Sequence, residues 1–149
     1  MKQKIDPLTR KILKILFKNS RTSYVDIAKE TGIPFSTVRY KVQNLMNSNF
    51  IKRFTVVVNP DKLGIIGGIV LIKTNGQTKE VSEFCQKIPN SSIIAYTMGY
   101  YDLIMELVAK DMKELKRIVE EIKNQESVLQ VDVNIVLNWE KWEFPAEFI

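Results

Sequence analysis

The chain contains no histidine and one cysteine among 149 residues. Without an imidazole there is no histidine acid or base, no histidine metal ligand, and no Ser/His or Cys/His nucleophile pair. Cys85 alone cannot close an internal disulfide, which fits a reducing compartment. It stands with Val81, Phe84 and Ile88 at helical spacing and reads as a small core residue. Long apolar runs are missing as well. The longest, Ile69-Val70-Leu71-Ile72, is far too short to span a bilayer. The first residues, charged at Lys2, Lys4, Asp6, Arg10 and Lys11, hold no signal-peptide core. There is no glycine-rich phosphate loop and no metal cluster, so no residue can be given catalytic work. The expectation is a soluble, cytoplasmic protein that is not an enzyme and carries no metal or cofactor.

Acidic residues are scarce in one region only. Residues 1–60 hold twelve Lys/Arg against three Asp/Glu, whereas residues 61–149 hold ten against fourteen. The net charge of +5 therefore joins a basic first part to an acidic second part. A basic module suits a polyphosphate partner, because each neutralised phosphate releases counterions.

Within the basic part, residues 23–53 read as a DNA-reading unit. Asp6-Pro7 opens a first helix, an acidic N-cap followed by proline, with Leu8, Ile12, Ile15 and Leu16 as its stripe and Leu13 and Phe17 widening it. Ser23 caps a second helix, with Asp26 three positions on. That helix, apolar at Val25, Ile27 and Ala28, stops at Thr31-Gly32, where glycine permits a left-handed turn. Pro34 fits the first turn of a third helix, whose buried stripe is Val38, Val42 and Leu45. Ser36, Thr37, Arg39, Tyr40, Lys41, Gln43 and Asn44 then point elsewhere. Two helices, a tight glycine turn and a polar, basic second helix make a helix-turn-helix, and double-stranded DNA is the implied partner. Residues 50–58, rich in β-branched and aromatic side chains, predict a strand or hairpin forming a wing.

Asn59-Pro60 with Leu63-Gly64 marks a boundary, since proline cannot continue a central strand and the charge balance reverses beyond it. The organisation expected is a winged helix-turn-helix over 1–58, a hinge over 59–65, and a second domain over 66–149. The second domain reads as strands over 67–73, 92–97, 103–109 and 128–137. Helices over 78–88 and from Met112 to Ile122 intervene, the latter capped by Asp111. The order β-α-β-β-α-β is the ferredoxin-like arrangement of an α+β fold. Both helices cover one sheet face, so the other must find a partner or stay wet. With Ile69, Leu71, Ile104, Val136 and other apolar residues on both faces, pairing with a second chain is expected. Glu140, Glu143 and Glu147 with Trp139, Trp142, Phe144 and Phe148 form an aromatic, acidic tail, read as a final strand packing on the dimer.

This combination resembles the Lrp/AsnC, or feast/famine, transcription regulators over roughly residues 5–137. In the first domain the resemblance rests on Asp6, Ile12-Leu13, Leu16, Asn19, Arg21, Asp26-Ile27-Ala28, Gly32-Ile33, Ser36-Thr37-Val38, Lys41-Val42, Leu45 and Ile51-Lys52-Arg53-Phe54. Asn59-Pro60 with Leu63-Gly64 is similar to the family linker, and Gly99 with Tyr101-Asp102-Leu103 to its glycine–aromatic–aspartate turn. The resemblance implies a sequence-specific regulator that forms homodimers through its sheets, assembles further into tetramers or octamers, and binds an amino acid or similar small effector.

Candidate DNA contacts are Ser36, Thr37, Arg39, Tyr40 and Lys41 on the recognition helix, and Arg21, Lys52 and Arg53 beside it. Hydroxyls at a helix N-terminus suit phosphates or base edges, and arginine can grip guanine with two hydrogen bonds. Lys41 stands where the family usually has arginine, which leaves a single-point charge contact. Gly99, Tyr101 and Asp102 are the candidate effector turn, with Asp102 placed to accept from an ammonium group. Tyr100, Val131 and Val133 depart from the family pattern, in which polar or hydroxyl residues help hold the amino acid. A zwitterion held by so few polar groups is poorly compensated. The alternative is an architectural DNA-binding protein acting through oligomerisation without an effector.

Overall fold

A computed structural model describes residues 5–140 of the chain. They form two compact units, residues 5–57 and residues 58–140.

The first unit is three helices, α1 (Pro7–Lys18), α2 (Tyr24–Thr31) and α3 (Phe35–Asn47). Local chemistry sets each end. The Asp6 carboxylate accepts from the N–H groups of Leu8 and Thr9, both at 3.0 Å, which satisfies donors the helix itself cannot pair. Ser23 accepts from the N–H of Asp26 at 3.1 Å and donates back to its carboxylate at 2.6 Å. Gly32 ends α2 in the left-handed region at φ 69°, a conformation that costs most other residues steric strain. Ile12, Leu16, Ile27, Ile33, Val38 and Val42 form the shared core. A smaller cluster joins Leu13 to Leu45. Burying each such side chain is worth about 1.5–3 kcal/mol. Leu8 and Phe17, expected in the stripe of α1, are exposed, because they sit at the edges of the arc that α2 and α3 cover.

The expected wing does not form. Residues 50–58 contain no strand, and Val56 and Val57 are 71% and 65% exposed. β-Branched side chains favour a pleated backbone, but a strand also needs a neighbour for its N–H and C=O groups. Among the described residues none pairs with this segment as a strand. Asn49, at φ 57°, turns the chain out of α3, and Lys52 and Arg53 lie on this irregular segment.

The second unit opens with one helical turn, α4 (Pro60–Leu63). It continues as β1 (Ile66–Thr74), α5 (Thr78–Gln86), β2 (Ser91–Tyr96), β3 (Leu103–Ala109), α6 (Met112–Lys123) and β4 (Val128–Val136). The strands form one antiparallel sheet in the order β2-β3-β1-β4. Val70, Ile72, Leu103, Met105 and Leu107 are buried in one core with Val81, Cys85, Leu115, Ile118, Val119 and Ile122 of the helices. Met112, expected in the stripe of α6, is exposed. Gly68 permits close helix–sheet packing: a Cβ there would meet the methyl groups of Leu115 at 3.4 and 3.5 Å. On the opposite sheet face Ile69, Leu71, Ile104 and Val136 stay partly exposed. Of the expected final strand, Trp139 and Glu140 form no strand, and Trp142, Glu143, Phe144, Glu147 and Phe148 lie outside the described residues.

Candidate nucleic-acid interface and effector turn

The recognition surface follows from how α3 is buried. With Val38, Val42 and Leu45 inward, the 100° step of a helix turns Ser36, Tyr40, Gln43 and Asn47 outward, flanked by Arg39 and Asn44. Ser36, Arg39 and Tyr40 are exposed, while Thr37 and Lys41 are half-buried on the flanks. Pro34 precedes the helix as its N-cap and supplies no side-chain acceptor. The first N–H groups of α3 therefore keep their capacity for an anion. Arg21, Lys52 and Arg53 are exposed outside the helices.

Lys41 is placed differently from its sequence reading. Its Nζ lies 2.9 Å from the Asp6 carboxylate and 3.1 Å from the Thr9 hydroxyl, and donates to both. The hydroxyl of Thr9 also donates to Asp6 at 2.5 Å. Hydrogen bonds from the Thr9 hydroxyl and N–H, then from Lys41, hold the Asp6 carboxyl well below the usual carboxylate range. Lys41 thus ties the recognition helix to the start of α1 instead of offering an uncommitted charge. Gln43 and Asn44, left out of the expected contacts, lie on or beside the outward stripe. Their seven- and eight-residue spacing from Ser36 was the signal that could have found them.

In the second unit the β2–β3 turn brings Gly99, Tyr101 and Asp102 together, and the side chains of the latter pair are both hydrogen-bonded within the chain. Asp102 accepts from Lys73 Nζ at 3.0 Å through one oxygen. Its other oxygen accepts from the Thr74 N–H at 2.8 Å and the Thr74 hydroxyl at 3.1 Å. The Thr74 N–H first, then Lys73, lowers the pKa of Asp102. Its backbone N–H donates to Ile72 at 2.9 Å and its carbonyl accepts from Thr97 at 3.0 Å. Tyr101 donates its hydroxyl to Asp132 on β4. That bond lowers the pKa of Asp132 and pushes the phenol up to about 12. Tyr100 donates to Gln130 at 3.0 Å, its ring edge-on to Tyr101 and 5.9 Å from Lys73 Nζ.

In the sequence, Asp102 reads as a candidate acceptor for an effector's ammonium group; in the folded chain its carboxylate also latches the start of β3 to β1 through Lys73 and Thr74. Gly99 is not among the glycines with positive φ, and a Cβ there would meet nothing within 4 Å. The fold itself does not require glycine at that position. Val131 and Val133 pack against the helix-side core, while Asp132 meets the turn.

Two features were missed in the sequence. Glu106 is only 3% exposed although it lies on the helix-free sheet face, and its carboxylate accepts from the Ser92 hydroxyl at 2.6 Å. A cleft of about 340 Å³ between α5 and β2 is lined by Ser82, Gln86, Ser91, Ser92, Ile93, Ile94 and Tyr96. None of residues 98–102 lines it. Among the described residues no cluster of acidic or cysteine side chains could hold a metal, and no helix is long and apolar enough to cross a membrane.

Comparison with known proteins accounts for both units. A family model described as winged helix-turn-helix DNA-binding matches residues 5–52, and the Lrp/AsnC ligand binding domain matches residues 68–143. The chain is 34% identical to the HTH-type transcriptional regulator LysM of Sulfurisphaera tokodaii, over 89% of this chain and 95% of that protein. The fold is also that of E. coli AsnC, with a TM-score of 0.84 at 21% identity, covering 97% of this chain and 99% of that one. The regulator NMB0573 of Neisseria meningitidis, solved as an L-Met complex, superposes with a TM-score of 0.83 at 15% identity, with coverage of 97% and 99%. These relatives are regulators of transcription, not enzymes, and the chain belongs to the Lrp/AsnC family of DNA-binding transcription regulators.

Proposed function

We propose that this protein is a sequence-specific regulator working as a homodimer or larger assembly, with α3 reading the major groove of duplex DNA. The observation that carries this reading is the outward face of α3. Ser36, Arg39 and Tyr40 are exposed, and none of the three takes part in an ion pair among the described residues. Arg39 is suited to guanine, Tyr40 to a sugar or thymine methyl, and Ser36 and Thr37 to phosphate at the helix start. Arg21, Lys52 and Arg53 add phosphate contacts. Selection from a randomised duplex library tests the reading: enrichment of a pseudo-palindromic motif supports it, and an unenriched pool overturns it.

The helix-free sheet face is the proposed dimer surface, and residues 59–65 the hinge between a DNA-binding domain over 1–58 and a regulatory domain over 66–149. Ile69, Leu71, Ile104 and Val136 on that face stay partly exposed among the described residues. Leu71→Lys should convert the dimer to a monomer in sedimentation; an unchanged assembly would reassign the surface.

For the effector, open space over Gly99 favours approach by a small molecule or a second protomer. An amino acid is the class suggested by the ligand-binding domain and by the L-Met complex of NMB0573. The architectural alternative keeps one specific support. The Asp102 carboxylate is filled by Lys73 and Thr74, so an ammonium group must displace an existing cation to use it. A thermal-shift screen of the twenty amino acids separates the two, since flat responses favour regulation without an effector.

A further inference from the structure

We propose that the outer face of α1 is a second duplex-DNA surface, a stripe formed by Lys11, Lys14 and Lys18 that takes phosphates on the side of the domain away from α3. This rests on the DNA-binding reading and extends it from one contact face to two.

The stripe follows from helical geometry. Residues at i, i+3 and i+7 fall within an arc of about 60° and span roughly 10 Å of helix axis. Ile12, Leu13, Leu16 and Thr9 are buried on the other side of α1, which turns the three lysines outward, and all three are exposed. They carry no ion pair among the described residues. The first turn of α1 contains no acidic residue. None of the three carboxylates within residues 5–57 forms an ion pair with the stripe. Asp6 is held by Lys41 and Thr9, Asp26 faces Ser23 and Lys29, and Glu30 is on α2.

Like charges three and four positions apart destabilise a helix by about 0.2–0.5 kcal/mol per pair. The Lys11–Lys14 and Lys14–Lys18 pairs both have that spacing. An anionic partner turns the repulsion into attraction, and a row of ammonium groups releases counterions from a phosphate backbone. Direction decides which phosphates are reached. Ile12 and Leu16 of α1 share a core with Val38 and Val42 of α3, so the exposed faces of the two helices point away from each other across it. A duplex seated on α3 leaves the stripe free for another stretch of DNA, either the same molecule bent round or a second duplex.

The test compares wild type, Lys11→Gln/Lys14→Gln/Lys18→Gln and Arg39→Ala/Tyr40→Ala in the full-length protein. Glutamine matches lysine in helix propensity, so the stripe variant should keep its fold and melting temperature. On a duplex of about 15 base pairs, too short to engage both faces, the stripe variant should bind like wild type. On a random duplex of about 60 base pairs it should bind more weakly, with a salt-dependence slope lower by about 2–3. An unchanged slope and affinity on long DNA would overturn the stripe while leaving α3 in place. Loss of the oligomer with DNA binding intact would also overturn it, assigning the stripe to a protein contact. If wild type bound neither duplex, the DNA-binding reading itself would fail, a result distinguishable from both.

Discussion

The outward face of α3 and the turn over residues 98–102 carry similar chemistry in opposite states. On α3, Arg39 and Tyr40 project to solvent from a helix whose position is set by Val38, Val42 and Leu45 beneath them. In the turn, Asp102 meets Lys73 and Thr74, and Tyr101 meets Asp132. Side chains of the first kind can be changed with little effect on folding, because the fold does not use them. Those of the second kind are part of what joins the strands, so their substitution perturbs structure before it perturbs any ligand. A polar side chain at a family site therefore reports on function only after its internal partners are known.

The largest effect should come from the uncommitted face. Arg39→Ala with Tyr40→Ala should weaken binding to a selected operator on the order of a hundredfold, from the 1–3 kcal/mol of a good base contact together with lost packing. Its melting temperature should stay near wild type, as expected for exposed positions. A large fall in melting temperature would erase the contrast with the turn. Asp102→Ala should show the reverse: melting lowered by several degrees, and affinity for a short duplex little changed. If Asp102→Ala melts like wild type yet loses an amino-acid response, the latch reading is wrong and the carboxylate serves the ligand. Thermal melts and anisotropy on the same preparations decide between these.

Much of this contrast was legible in the sequence, and the part that was not has a common cause. Caps and stripes are local: Asp6, Ser23, Gly32 and Asp111 act within four residues of themselves, and they set the helix ends as expected. The βαββαβ order likewise follows from periods of two and 3.6 along the chain. Partners far apart in sequence were not legible. Lys41 finds Asp6 and Thr9 across 35 and 32 positions, and Asp102 finds Thr74 across 28. A strand's neighbour is also non-local, which is why residues 50–58 had the composition of a wing and formed none. Glu106 was hidden for a related reason, since its burial depends on β1 and β2 lying on either side of β3.

Acid and alkali should separate the two units further. The Asp6, Asp102 and Asp132 carboxyls all lie below their ordinary 3.8 in the folded chain. Their stabilisation is present above that value and is lost as pH falls through the lowered ones, so acid weakens both units. Tyr101 moves the other way, from 10.0 to about 12, and Cys85, through burial, from 9.0 to about 11. For both, the stabilisation is complete below the ordinary value and disappears as pH rises through the raised one. Alkali should thus loosen the second unit selectively, and Tyr101→Phe should make the decline between pH 10 and 12 shallower. A Tyr101→Phe profile that superposes on wild type would remove the Tyr101–Asp132 bond from the account.

The smallest structural effect is expected at Gly99, and it gives the finest test of the comparison. Open space where a Cβ would stand and a backbone outside the left-handed region mean that alanine fits the folded chain unchanged. Loss of glycine's extra freedom in the unfolded chain should even raise stability by about 0.4–1 kcal/mol. If glycine is there so that a ligand or second protomer can come close, Gly99→Ala should weaken that approach while leaving the melt of the unliganded protein equal or higher. The reading would be sunk by a variant more stable than wild type with an unaltered oligomer distribution and amino-acid response. In that case the turn serves the fold alone, like the Asp102 latch beside it, and the regulatory contact must be sought elsewhere on the second unit.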